Sequence, residues 1–140
     1  MIINKKYKVL LLGYSNIAKK RYINTFVKKK IPFCVASKSF NKKIKGAYKQ
    51  FDNYTDAIKF SDANIVFISL PNSLHYYWSK QALLNGYHLI VDKPITVKRG
   101  QLKKLINIAK KKNLLISEAT YFNYHNQFDF IRKTCENFNN

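Results

Sequence analysis

Acidic residues are scarce in this chain. Seven Asp and Glu stand against 26 Lys and Arg over 140 residues, a formal net charge of +19. Such a balance draws nucleic acid or anionic membrane surfaces in principle. Arginine, however, is also scarce: Arg21, Arg99 and Arg132 are the only three. A surface that reads bases or grips phosphate favours the arginine fork. Lysine accompanied by abundant Asn, Ile, Tyr and Phe points instead to the codon usage of an AT-rich genome. Nucleic acid is therefore not the expected partner.

Cysteine is limited to Cys34 and Cys135, far apart and in no CxxC or Cys/His pattern. A disulfide framework and a zinc site are both excluded, and reduced thiols in a cytosolic protein are expected. Long apolar runs are missing. The run before Gly13 is only about five residues, too short for a signal-peptide core, and nothing later approaches a membrane span. The expectation is a soluble, cytoplasmic protein with no membrane partner and no metal. There is no low-complexity linker and no internal repeat. The length suits one domain that buries a core without staples.

Strand and helix patterns alternate along the chain. Lys8 to Leu12 reads as a buried strand, and Ile17, Ile23, Phe26 and Val27 give helical spacing from Asn16 onward. Lys28 to Lys30 close that helix and Pro32 blocks its continuation. Strands are expected at Phe33 to Ala36, Ala47 to Phe51, Ile65 to Leu70, Tyr87 to Val91 and Leu114 to Ser117. Ser37 to Lys45 reads as a polar loop. Helices are expected at Tyr54 to Phe60, capped by Asn53 or Thr55, and from Asn72 or Ser73 to Leu84, stopped by Asn85-Gly86. Two more run from Val97 to Lys112 and from Tyr124 to Phe138, the last with Phe128, Ile131 and Cys135 inward. Alternation of this kind implies right-handed crossovers and a doubly wound parallel α/β sheet of the Rossmann type.

Ligands of such sheets sit beyond the carboxyl ends of the strands, so the residues leaving each strand belong together. The first exit reads Gly13-Tyr14-Ser15-Asn16-Ile17-Ala18. Gly13 permits a tight turn, and the next helix offers free N–H groups to a pyrophosphate. Ser15 and Ala18 stand where a dinucleotide fingerprint has its second and third small residues. The second exit, Ser37-Lys38-Ser39, has no carboxylate for an adenosine ribose. A lysine between hydroxyls suits a 2′-phosphate, so NADP is expected ahead of NAD. The third exit is Leu70-Pro71-Asn72-Ser73-Leu74-His75, and the fourth is Asp92-Lys93-Pro94-Ile95-Thr96.

The segments Pro71-Asn72-Ser-Leu-His75, Ala82-Leu83-Leu-Asn-Gly86 and Asp92-Lys93-Pro94-Ile-Thr96 resemble the Gfo/Idh/MocA oxidoreductases, relatives of glucose-fructose oxidoreductase and inositol dehydrogenase. The likeness extends to the opening G-x-S-x-I-A and to Glu118-Ala119. It implies a Rossmann domain for NAD or NADP. Lys93 would then be the catalytic lysine near the nicotinamide and the reacting carbon, with Asp92 where the family has Glu. Gly13, Tyr14, Ser15, Asn16, Ile17, Ser37, Lys38, Leu70, Pro71, Asn72, His75, Asp92 and Lys93 would line the cofactor. Hydride transfer from a sugar carbon needs its hydroxyl proton withdrawn, which is work for a positioned base.

Family members are longer, with a second α/β domain that supplies most of the substrate pocket. The expected organisation is therefore a cofactor domain over 1–120 and a helix over 121–140 leading toward a domain absent from this chain. Three readings stay open. The first is an NAD(P)-dependent oxidoreductase domain acting on a sugar, sugar-nucleotide or polyol hydroxyl, incomplete as a single chain. The second is a non-catalytic nucleotide-binding or regulatory module, or a truncated or split-enzyme remnant. Here the last helix, with Phe128, Phe130 and Ile131, would meet a partner chain or a second copy. The third is a basic nucleic-acid-binding protein on the same scaffold.

Overall fold

The computed structural model describes residues 7–38, 43–120 and 125–137. Six strands form one parallel sheet: β1 Val9–Leu12, β2 Phe33–Ala36, β3 Lys49–Phe51, β4 Ile65–Ile68, β5 His88–Val91 and β6 Ile116–Glu118. Their order is β3-β2-β1-β4-β5-β6. The chain thus builds outward from β1 in one direction and then crosses back to start again at β4. That reversal is the topological switch point, where a doubly wound sheet opens a crevice.

Successive residues of the central strands serve opposite faces, as the pleat requires. Leu10, Leu12, Cys34, Ala36, Val66, Ile68, Leu89 and Val91 share one buried cluster. Onto it pack α2 (Tyr54–Phe60), α3 (Asn72–Leu84) and α4 (Arg99–Lys111), through Ala57, Ile58, Ala82, Leu83, Leu105 and Ala109. Val9, Leu11, Phe33, Val35 and Phe67 point to the other face. There they meet Ala18, Ile23 and Phe26 from the first helical segment, together with Ile44. The strands are apolar on both sides because both sides are covered.

The first helical segment departs from the expected regular helix. It opens with a π-helical turn, Ala18–Ile23, that runs directly into α1, Asn24–Lys28. Buried Ala18 and Ile23 are five residues apart, a separation that the wider π turn accommodates on one face, while Ile17 and Val27 are exposed. Asn53 caps α2 as read, its Oδ1 accepting from Asp56 N at 2.7 Å. The loop after β2 is less polar in its packing than its composition suggests, because Ile44 is buried. Ser39 lies outside the described residues.

The last helix, α5, spans Asn126–Asn137. The inward face expected for Phe128, Ile131 and Cys135 is not observed, for all three are exposed. Helical spacing identifies an apolar stripe but not what covers it. Among the described residues, no helix is long and apolar enough to cross a membrane, and no cluster of His, Cys, Asp and Glu could hold a metal ion.

The two thiols differ sharply in environment. Burial raises the Cys34 thiol above its ordinary range, whereas Cys135 is exposed on α5. A thiol reagent is expected to modify Cys135 at once in the native chain and Cys34 only on unfolding. Two equally fast thiols would contradict the placement of β2 inside the sheet.

Candidate functional site

Strand register sets the exits side by side. Leu12 is level with Ala36 on one side and Ile68 on the other, Ile68 with Val91, and Val91 with Glu118. Pairing continues one step further, with Gly13 N bonded to Ala36 O, Ser69 N to Leu12 O, Asp92 N to Ile68 O and Ala119 N to Val91 O, all at 2.8–2.9 Å. Ser37, Gly13, Ser69, Asp92 and Ala119 therefore form one row along the carboxyl edge. Most of the residues expected at the site leave from this row or lie just beyond it.

At the switch point the two central exits touch. Gly13 has φ +104°, and a Cβ placed on it would lie 2.1 Å from the carbonyl oxygen of Ser69. No side chain fits there, so glycine is required by both the dihedral and the contact. The hydroxyls of Ser15 and Ser69 meet at 3.1 Å, and Ser15 Oγ accepts from Ala18 N at 3.0 Å. Ser15 is thus the cap of the helical segment, and Lys19 N closes the first turn on Ser15 O at 3.0 Å. The N–H groups of Asn16 and Ile17 are left without a bond in the described chain and face the exit side with the positive end of the helix.

A second helix start lies across the crevice. Pro71 precedes α3, and no side chain caps that helix. This corrects the expectation of a cap at Asn72 or Ser73: Asn72 is already helical, and Leu74 N bonds to Pro71 O at 2.8 Å. The N–H groups of Asn72 and Ser73 remain open. Pro71 and Asn72 are exposed, and Leu70 is half-buried.

His75 lies deeper than the other residues expected at the site. Expected to line the cofactor, its ring is fully buried, with Nδ1 2.7 Å from Pro94 O and Nε2 2.7 Å from Leu70 O. Each ring nitrogen thus lies against a backbone carbonyl. The effect of the ring is to tie the exit of β4 to the turn after β5.

That turn is fastened elsewhere too. Ile95 N donates to Glu118 Oε2 at 2.8 Å, and Tyr22 Oη donates to Asp92 Oδ1 at 2.5 Å. The Lys93 side chain is exposed and has no bond or ion pair among the described residues. Sequence reading assigned no role to Tyr22, Ser69 or Glu118. Glu118 had a signal, as one of only seven acids and one that closes a strand. Tyr22 had a fainter one, a polar-tipped ring on a helix that packs on the sheet.

Ser37 is buried beneath the β2 exit and Lys38 is exposed above it. A cavity of about 710 Å³ runs from Tyr14 down the flank of α1, lined also by Lys19, Lys28, Lys43 and Lys45. Lys19 Nζ sits 4.5 Å from the centre of the Tyr14 ring.

The glycine contact makes a sharp contrast possible. Gly13→Ala is expected to cost at least about 2 kcal/mol, the scale of a core change that forces backbone to move. Gly100, early in α4, has nothing within 4 Å of the place a Cβ would take, and is expected to tolerate alanine with a gain of up to about 1 kcal/mol. Urea unfolding of both variants checks this, and equal effects would contradict the close approach at Ser69.

Comparison with known proteins follows the same lines. A family model described as an oxidoreductase family with an NAD-binding Rossmann fold matches residues 7–120. A dTDP-3,4-didehydro-2,6-dideoxy-alpha-D-glucose 3-reductase of Streptomyces violaceoruber is 27% identical over 132 residues, covering 89% of this chain and 38% of that protein. A D-xylose 1-dehydrogenase (NADP(+)) of Hypocrea jecorina is 30% identical over 90 residues, 63% of this chain and 23% of the other. Among solved structures, a 3-ketoreductase from Actinomadura kijaniata in complex with NADP and TDP-benzene superposes with a TM-score of 0.85 at 23% identity. That match covers 94% of this chain and 42% of the reductase. The chain spans about two fifths of the length of the first of these relatives and of the solved reductase.

Proposed function

The chain belongs to the Gfo/Idh/MocA oxidoreductase family, and from that membership and the exit geometry we propose that residues 1–120 bind NADP, or less tightly NAD, as the cofactor domain of an oxidoreductase. Residues 121–140 lead toward a further domain. The substrate is a sugar, sugar-nucleotide or polyol bearing the hydroxyl or ketone that exchanges hydride. The observation behind the reading is the single row of exits, in which two helix starts with open N–H groups flank the switch point and an unpaired lysine stands two strands away from β1.

The residues present fit a dinucleotide. Gly13 brings no side chain of its own to the close approach at Ser69, so a pyrophosphate would reach the open N–H groups of Asn16 and Ile17. Lys38 would meet the adenosine ribose, where no carboxylate stands at the β2 exit to accept from a 2′-hydroxyl. Tyr14 would border the adenosine side, and Leu70, Pro71 and Asn72 the opposite wall. When bound, the nicotinamide supplies the hydride chemistry. Lys93 would hold the substrate oxygen and exchange its proton, as the catalytic residue.

The relatives support the substrate and cofactor classes. One reduces a dTDP-linked keto sugar, one is an NADP-dependent xylose dehydrogenase, and the solved 3-ketoreductase holds NADP with a TDP compound.

Titration of the chain with NADPH and NADH, followed by cofactor fluorescence, tests this reading. Saturable binding is expected, tighter for NADPH. Lys38→Glu is expected to weaken NADPH about tenfold or more, the size of one charge-assisted contact, while changing NADH little. A folded chain that binds neither cofactor would overturn it.

A further inference from the structure

Lys93 stands next to a carboxylate without pairing to it. The described residues hold two ion pairs, Lys8 with Asp62 and Arg132 with Asp129, and neither involves this turn. Asp92 is instead engaged by Tyr22, whose hydroxyl donates to Oδ1 at 2.5 Å across 70 residues of sequence. Tyr22 lies in the π turn Ala18–Ile23, and its ring packs on Phe67 of β4 with centroids 4.3 Å apart. The phenol therefore reaches from the first helical segment, over β4, to the exit of β5. A π turn beside such a contact fits the habit of these turns to occur at functional sites.

We propose that Tyr22 is a positioning residue for Lys93. By occupying Asp92 it keeps that carboxylate from folding onto the neighbouring amine, and so leaves the ammonium uncommitted for a ligand oxygen. The inference rests on the reading of Lys93 as the group that meets substrate. Its energetics follow from the partners. A hydrogen bond to a carboxylate from a half-buried, ring-packed donor outweighs an exposed pair made by a mobile lysine. The backbone of the turn is fixed independently, through Asp92 N to Ile68 O, Ile95 N to Glu118 and the carbonyl of Pro94 to His75. Loss of the phenol would thus free the Asp92 side chain without releasing the loop.

Tyr22→Phe keeps the ring on Phe67 and deletes only the hydroxyl. The test is limited acetylation of the free chain with acetic anhydride, read at each lysine by peptide mass spectrometry. In Tyr22→Phe, Lys93 labelling is expected to fall about threefold relative to the other lysines, because only the free amine is acylated, a carboxylate partner favours the ammonium, and exposed pairs act on that scale. In an Asp92→Asn background the same change should have no effect, as expected when one residue acts through the other. Asp92→Asn alone should leave Lys93 at its wild-type rate.

Unchanged Lys93 labelling in Tyr22→Phe, or an equal drop in both backgrounds, would overturn the proposal. NADPH affinity measured alongside should weaken in Tyr22→Phe. A wild-type chain that binds no NADPH would overturn the cofactor reading, while the labelling still decides the role of Tyr22.

Discussion

Two strand exits meet backbone to backbone at the switch point of this fold, and the site depends on that contact. Gly13 lies so close to the carbonyl of Ser69 that no Cβ fits between them. The contact draws the turn after β1 against the exit of β4, and the paired hydroxyls of Ser15 and Ser69 hold the two together. Ser15 then caps the helical segment from the inside, so the N–H groups that stay open are those of Asn16 and Ile17. A fingerprint with serine in place of its second glycine still leaves a backbone cradle. The first glycine makes the approach, and the serine commits its hydroxyl to the fold.

The turn after β5 is organised by different means. Its backbone is anchored to β4, to His75 and to Glu118, and its carboxylate to Tyr22. These four attachments come from four separate parts of the chain. Among the described residues, the Lys93 side chain of this turn has no such attachment. Its neighbours set the backbone of the turn while the Lys93 charge stays available.

The sequence made the architecture readable because it depends on strong local signals. Four-residue apolar runs, an Asn before Tyr54, and Asn85-Gly86 after α3 each have a direct physical meaning. The row of exits was readable for the same reason, since a strand's end fixes which residues leave the sheet. Long-range partners were not. His75 sits in a motif beside the crevice, yet only the packed structure places its ring inside with each nitrogen against a backbone carbonyl. The π turn has no sequence period of its own, and the bond from Tyr22 to Asp92 joins residues with no local relation. On α5 the spacing marked an apolar stripe correctly but could not tell that Phe128, Ile131 and Cys135 are solvent-exposed.

The claim at the centre of this account is that one crevice, between the exits of β1 and β4, receives a dinucleotide. Amide chemical-shift mapping with NADPH addresses it most directly. The account predicts shifts concentrated at Gly13 to Ile17, Lys38, Leu70 to Ser73 and Asp92 to Lys93, with the amino ends of the same strands unmoved. Shifts confined to the lysines of the α1 flank, or spread evenly over the basic surface, would contradict it.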